Sequence, residues 1–369
     1  MCGARCPGLG VRLGHTPEEC ALLAKVGRQE VDDLLKRVVR ADGGTEEDAG
    51  EAYNPIVPLR CLLLKKHHPD RWKQINELES HNEIRKTSYP ELWASNQRTV
   101  VDVVIKKWRI DEFTEEELHT VCGYLEVNSF SIGGRGGCIE LRGLYGGHVS
   151  LMCHDCTPNT THTDDESLLM TVRASLAIDK GQPITITYAS TLQGTVQRRR
   201  HLRESKFFEC RCRRCSDPRE LGTMLSALRC ANCRVGDLLP LKPLEDSSPW
   251  SCGSPNCGAT VTSDQVQAIV GRIEADFDRI KEGTIEDLED FLNRHEGVLH
   301  SNHYLMVGAM YPLSQMYGKL EGHMIHQMSE EGLARKVDIC RSLLKIFGAI
   351  EPGMSRIRGK LSLIYQLLT

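Results

Sequence analysis

The sequence predicts an α+β fold: a small β-rich core with inserted helices, segments held by cysteine-bound metal, and an α-helical C-terminal domain. Three observations carry this. Short apolar runs bounded by turn residues cluster between 125 and 188. Apolar residues recur at helical spacing on both sides of that stretch. Cysteines gather in short-spaced groups rather than singly. At 369 residues the chain is long enough for two or three domains with their own cores.

In chain order, residues 1–20 carry Cys2-x3-Cys6-x8-His15-x4-Cys20, and helical spacing follows over 21–40. An acidic, glycine-containing loop at 41–52 breaks it. From 54 to 127 the pattern is mostly helical, with pieces at 56–66, 68–79, 90–108 and 114–125; the last opens with the capping box Thr114-x-x-Glu117. Strands are expected at 125–132 and 138–145 around a turn at Gly133–Gly137, then at 170–178 and 183–188. A short basic helix is expected at 195–206. After the cysteine-rich stretch 217–262, an apolar stripe (Val266, Ile269, Ile273, Phe277, Ile280) opens a set of antiparallel helical hairpins. Thr284-x-x-Asp287 and Ser329 read as helix starts, and Pro312 as a kink or a helix start.

The formal net charge of −4 argues against a whole-chain field for nucleic acid or anionic membrane. No secretory signal and no apolar run of membrane-spanning length are visible. Sixteen cysteines without a signal fit a reducing compartment, cytoplasmic or nuclear, where clustered thiols hold metal. Cys61, Cys122, Cys138 and Cys340 sit among apolar neighbours and read as small buried hydrophobes. Eight basic residues against two acidic ones between 197 and 215 read as a solvated helix face; nucleic acid is the weaker reading. His67, His68, His300 and His303 read as exposed polar residues.

Two metal sites are expected from spacing. Cys230-x2-Cys233-x18-Cys252-x4-Cys257 matches a four-thiolate zinc ribbon, with Gly253 and Gly258 permitting the tight knuckles. Cys210, Cys212 and Cys215 supply three thiolates and need a fourth ligand from Cys153, His154 or Cys156. Cys2, Cys6, His15 and Cys20 form a third candidate, set against a terminus without metal.

His154-Asp155-Cys156-x-Pro158-Asn159, the strand Ile184–Tyr188, and Phe208-Glu209-Cys210-x-Cys212-x2-Cys215 resemble the SET-domain protein methyltransferases. More narrowly they resemble the SMYD branch, where a MYND zinc module interrupts the SET domain, and within it the arthropod SmydA type. The resemblance implies a protein-lysine N-methyltransferase using S-adenosylmethionine and zinc. It selects Cys156 as fourth ligand and places Tyr188 as the residue whose hydroxyl orients the lysine amine. It sets Phe208 near the adenine, and Asn128, Cys153 and His154 along the cofactor. The substrate would be a protein lysine, with a histone tail as one candidate, and further protein partners would dock on the helical tail. The organisation this implies is a partial MYND-like module at 1–20, a SET domain at 21–188 (helical insert about 54–127, core about 124–188), zinc-bound segments at 189–262, and an incomplete helical domain at 263–369.

The residues agree with such chemistry. In strand 183–188, Ile184, Ile186 and Tyr188 alternate onto one face, which sets the hydroxyl among apolar side chains. An apolar channel keeps a lysine amine neutral. Three departures from the family pattern favour a scaffold without catalysis. Cys153 stands where relatives carry asparagine. Lys206 stands where relatives carry a channel tyrosine, so its cation would repel a substrate ammonium unless its stem swings to solvent. Against that pattern the sequence is also expected to lack the first strand and the first half of MYND, and to end abruptly within its helical domain.

Overall fold

The computed structural model describes residues 16–26, 54–133, 140–145, 148–165, 167 and 169–366, with backbone alone for Cys20, 131–133 and 140–142. Cys2, Cys6, His15, Cys138, the helical spacing after 26 and most of the 133–137 turn lie outside the described residues. Two compact units divide the chain. One takes Met1–Leu151, Asp164–Thr171 and Ser205–Phe207; the other takes Met152–Thr163, Val172–Glu204 and Phe208–Thr369.

The first unit is mostly helical, as the spacing predicts: α1 (Pro17–Leu23), α2 (Ile56–His67), α3 (Pro69–Asn76), α4 (Asn82–Thr87), α5 (Pro90–Asn96) and α6 (Glu115–Asn128). Prolines open α1, α3 and α5, where a missing N–H costs nothing. Two π-helical turns, Gln97–Val101 and Val103–Lys107, continue from α5 and bury Val100, Val101 and Val104. The core gathers Leu62, Val104, Leu118 and Val121, all without solvent exposure. Cys61 and Cys122 lie inside it, and burial raises their thiols to about 11 and about 12, as inert core residues should show. The Thr114–Glu117 capping box is formed in both directions.

The strand expected from 125 begins late. Helix α6 continues to Asn128, whose amide caps it by donating to the Tyr124 carbonyl (3.0 Å). Burial of Val121, Cys122 and Tyr124 holds this turn helical against the β-propensity of Val127. Strand β1 (Phe130–Gly133) then pairs antiparallel with β2 (Glu140–Gly143). Helix α4 was not foreseen; it starts from His81 in a left-handed conformation (φ 50°) without a side-chain cap.

In the second unit, β3 (Cys153–His154) runs parallel to β6 (Thr185–Ile186), and β4 (Thr160–Asp164) pairs with β5 (Met170–Ala174). Helix α7 (Thr195–Lys206), whose last two residues are counted with the first unit, and the single turn α8 (Arg213–Ser216) lead to a four-stranded antiparallel ribbon: β7 (Leu228–Arg229), β8 (Asp237–Pro240), β9 (Trp250–Cys252) and β10 (Thr260–Val261). Helices α9 (Ser263–Ile280), α10 (Ile285–His295), α11 (Tyr304–Met316), α12 (Glu330–Ile350) and α13 (Arg356–Gln366) follow, each packed on the next along the chain. The 266–280 stripe faces inward, Thr284 forms its capping box, and Ser329 caps α12. Ribbon and helices share one core, in which Leu228 and Trp250 join Phe291, Leu343 and Phe347.

Pro312 does not start α11; it lies inside the helix, which leaves the kink of the two alternatives. His303 is buried rather than exposed: its Nδ1 accepts from the Leu305 N–H (3.3 Å) at the start of α11, and burial lowers its pKa to about 3. His300 is half-buried and its Nδ1 accepts from the Asn302 N–H, whereas His67 and His68 are exposed as expected.

Candidate functional site

Spacing alone leaves the fourth partner of Cys210, Cys212 and Cys215 open among Cys153, His154 and Cys156. The fold brings Cys156 to them, with all four sulfurs within 4.8 Å of one another. Cys156 Sγ lies 3.9 Å from Cys210 Sγ and 3.5 Å from Cys215 Sγ. Four thiolates around zinc at about 2.3 Å would stand about 3.8 Å apart, so the set fits a tetrahedral thiolate metal. The Cys215 N–H points at Cys212 Sγ (3.5 Å), the backbone donation that knuckles offer to thiolates. Cys153 is exposed and outside the cluster.

His154 faces the cluster without joining it. Its Nδ1 accepts from the Tyr188 N–H (2.9 Å), which leaves the ring proton on Nε2, 3.2 Å from Cys156 Sγ. Burial lowers the imidazole pKa to about 4, so the neutral ring is the resident form. Asn159 holds the other strand: its Oδ1 accepts from the Thr185 N–H (2.8 Å) and its Nδ2 donates to the Pro183 carbonyl (2.9 Å). The His-x-Cys-x-Pro-Asn segment and the Ile-Thr-Tyr strand therefore lock each other by side-chain-to-backbone bonds as well as by the β3–β6 pair.

Tyr188 ends that arrangement. Its N–H is fixed by His154, and its hydroxyl donates to the Met152 carbonyl. Burial pushes the phenol up to about 12, so it stays protonated at neutral pH. Its neighbours are aromatic: the His154 ring at 5.3 Å and the Phe208 ring at 6.4 Å, with His154 to Phe208 at 5.8 Å. The expected apolar face is thus only partly formed. Ile186 is buried, but Ile184 is 54% exposed, because the paired strand covers only Thr185–Ile186. The aromatic corner was invisible to strand alternation, since Phe208 arrives from a different segment.

Asn128 belongs to the first unit, where both amide protons are committed, to the Glu79 carbonyl (2.9 Å) and the Tyr124 carbonyl (3.0 Å). Lys206 belongs to the same unit. Its ammonium does not swing to solvent but donates to the Val127 carbonyl (2.7 Å).

The second cluster unites Cys230, Cys233, Cys252 and Cys257, with Cys230 to Cys257 at 3.6 Å and Cys233 to Cys252 at 3.7 Å. The Gly236 N–H reaches Cys233 Sγ (3.3 Å), the Ser254 N–H reaches Cys252 Sγ (3.4 Å), and Asn232 Nδ2 reaches Cys257 Sγ (3.3 Å). Gly258 takes the left-handed backbone as expected (φ 63°), but Gly253 does not. The glycine that the knuckle requires is Gly236, where a Cβ would stand 2.5 Å from Cys252 Sγ. Each cluster has four protein donors, which suits a structural rather than a catalytic zinc.

The expected solvated basic face is formed only in part: Arg200, Arg211 and Arg213 are exposed, but the rest is not. Arg198, Arg199 and Arg214 are buried. Arg198 and Arg214 both bind the buried Glu220 carboxylate, at 2.8 and 3.0 Å. Arg199 reaches Glu209 (2.7 Å) and Asp246 (3.0 Å), and Arg203 binds the same two. The helix reads as basic because its partners, Glu220 and Asp246, come later in the chain.

A family model described as the SET domain matches residues 47–189. The chain is 38% identical over 146 residues to the SET domain-containing protein SmydA-8, isoform A, of Drosophila melanogaster, covering 38% of this chain and 31% of that protein. It is 35% identical over 102 residues to the histone-lysine N-methyltransferase ASHR1 of Arabidopsis thaliana (26% and 21% covered). It is 31% identical over 120 residues to the human protein-lysine N-methyltransferase SMYD4 (31% and 14% covered). The matched stretches therefore span less than a third of these relatives' length. No helix among the described residues is long and apolar enough to cross a membrane.

Proposed function

We propose, from the premise that this chain is a SET-domain protein of the SmydA type, that it is a protein-lysine N-methyltransferase with Tyr188 at the reacting end. The observation that carries this reading is the double anchoring of Tyr188 by the 152–154 segment, itself tied to the Cys156 cluster through His154. S-adenosylmethionine, when bound, supplies an electrophilic methyl group. The half-buried faces of Phe208 and His154 and the neutral Tyr188 phenol are the chemistry that an adenine ring and a sulfonium require. Tyr188 orients rather than abstracts, because its phenol holds its proton. An amine entering beside these rings loses water, which favours its neutral, nucleophilic form. Zinc at both cysteine clusters would hold the scaffold. Cys2, Cys6, His15 and Cys20 are a further proposed zinc set. The proposed substrate is a protein lysine, a histone tail among the candidates, with a role in transcription in the cytoplasm or nucleus, and the helical domain is proposed to receive protein partners.

Calorimetric titration with S-adenosylmethionine and radiolabelled methyl transfer to histone and protein arrays test this. Binding is expected, as is transfer that Tyr188→Phe lowers by about 10²–10³-fold with zinc content unchanged. Absence of cofactor heat in zinc-replete protein would sink the reading.

A second reading, a SET scaffold without catalysis, is favoured by Lys206. Its ammonium is held at the Val127 carbonyl, and the resemblance sets that position in the substrate channel. Cofactor binding without transfer, restored by Lys206→Tyr, would support a weakened enzyme over a pure scaffold.

A further inference from the structure

Arg198, Arg214 and Glu220 form a triad sealed from solvent: the two arginines are 0% exposed and the glutamate 1%. Glu220 Oε2 accepts from Arg198 Nη1 (2.8 Å) and Arg214 Nε (3.1 Å), while Oε1 accepts from the Ser226 hydroxyl and the Thr195 N–H (3.3 Å). Arg214 also donates to the carbonyls of Cys156 (3.3 Å), Thr191 (2.8 Å) and Gln193 (3.2 Å). Arg198 Nη2 donates to Thr195 Oγ1 (3.1 Å) and, at 3.6 Å, to Cys215 Sγ.

The charges of this triad do not cancel. Two guanidinium groups against one carboxylate leave a buried excess of one positive charge, which is costly without a counter-ion. Of the acceptors that the two arginines reach outside Glu220, the Cys215 sulfur is the one that can carry negative charge, and it belongs to the cluster formed with Cys156, Cys210 and Cys212. Four thiolates and one Zn²⁺ carry two negative charges in sum. The donors to the second cysteine cluster among the described residues are neutral: backbone N–H groups, such as those of Gly236 and Ser254, and the Asn232 amide.

We propose that the zinc-thiolate of the first cluster is the counter-ion of the Arg198–Glu220–Arg214 triad, and that Arg198 is a positioning residue that retains zinc there. This rests on the reading of the cysteine clusters as zinc sites. The triad grips the cluster from both sides: Arg214 fixes the backbone of Cys156, and Arg198 stabilises the thiolate of Cys215. Donors of this kind around a metal commonly change its retention by about 10- to 100-fold.

The test is zinc release from the full chain to a chromogenic chelator. Wild type should release zinc in two phases, and Cys233→Ser should delete the faster one, assigning it to the ribbon. Protein with no bound zinc would overturn the zinc reading itself, separately from the triad. Arg198→Met should speed the slow phase about tenfold or more without moving the fast one, and Arg198→Lys should restore much of the retention. Glu220→Gln raises the buried positive charge to match the zinc-thiolate, so its slow phase should be no faster than wild type. A slow phase unmoved by Arg198→Met, or one quickened equally by Glu220→Gln, would make the triad a brace without electrostatic purpose. Should Arg198→Met fail to fold, Arg198→Lys and Glu220→Gln decide alone: both should keep the slow phase within a few-fold of wild type, and a slow phase quickened tenfold or more in either would overturn the proposal.

Discussion

The two cysteine clusters use the same kind of donor set, four cysteine sulfurs each, in opposite ways. The ribbon cluster is local: Cys230 to Cys257 spans one four-stranded sheet, each knuckle is built by adjacent residues, and Cys233 and Cys257 are only half-buried. The first cluster is assembled at long range. Cys156 comes from the segment after β3, while its partners lie beyond α7, and Cys156, Cys210 and Cys215 are buried beside charged arginines. A local site can close as soon as its sheet forms. A long-range site fixes two distant segments at once and contributes more by restraining the unfolded chain. The first cluster is also the one tied to Tyr188, so its loss should propagate to the site, whereas loss of the ribbon should not.

The strongest way to break this contrast is to remove one thiol from each. Cys156→Ser should release about one zinc per chain and abolish cofactor binding, since His154 loses the sulfur that orients it. Cys233→Ser should also release about one zinc, but lower the melting temperature of the helical core while leaving cofactor affinity within about twofold. Zinc analysis, calorimetry and thermal unfolding check both. Equal loss of cofactor binding in the two variants would erase the distinction.

Gly236→Ala is a gentler version. The added Cβ would meet Cys252 Sγ and Ser254, so the ribbon should lose about 1–3 kcal/mol, seen as faster release of the fast zinc phase alone.

A pH series sharpens the same contrast within the shared core of ribbon and helices. His303 is neutral when folded, with a pKa lowered to about 3 by burial, against about 6.5 unfolded. The unfolded chain binds the extra proton first, so stability is lost as pH falls below the unfolded value. Between pH 7 and 5.5 the loss should be about 1 kcal/mol, and His303→Gln should flatten that part of the urea-unfolding profile. The smallest effect is a control in the other unit. Thr114→Ala should cost about 1 kcal/mol by removing the α6 cap, with both zinc phases unchanged.

Much of the fold was legible where the signal is local. The Thr114 and Thr284 boxes and the Ser329 cap are read from three or four adjacent residues, and each is formed. The ribbon cysteines were legible for the same reason. Legibility failed where a distant partner decides. Arg198 and Arg214 look like surface charge until Glu220 is placed between them. His303 looks polar and free until the start of α11 closes over it. Residues 125–128 favour a strand by composition, but burial of Val121, Cys122 and Tyr124 keeps them helical.

The sequence by itself determined most of the helices, the caps at Thr114, Thr284 and Ser329, and that two sets of thiols are available, because propensity, capping and knuckle spacing act over a few residues. Only the tertiary structure decided that Cys156 rather than Cys153 or His154 completes the first set. It also decided that His154 turns its Nε2 toward that sulfur and that Tyr188 faces Phe208. Those choices depend on which side chains a parallel strand pair and the segment after α7 bring together, and no spacing along the chain encodes that approach.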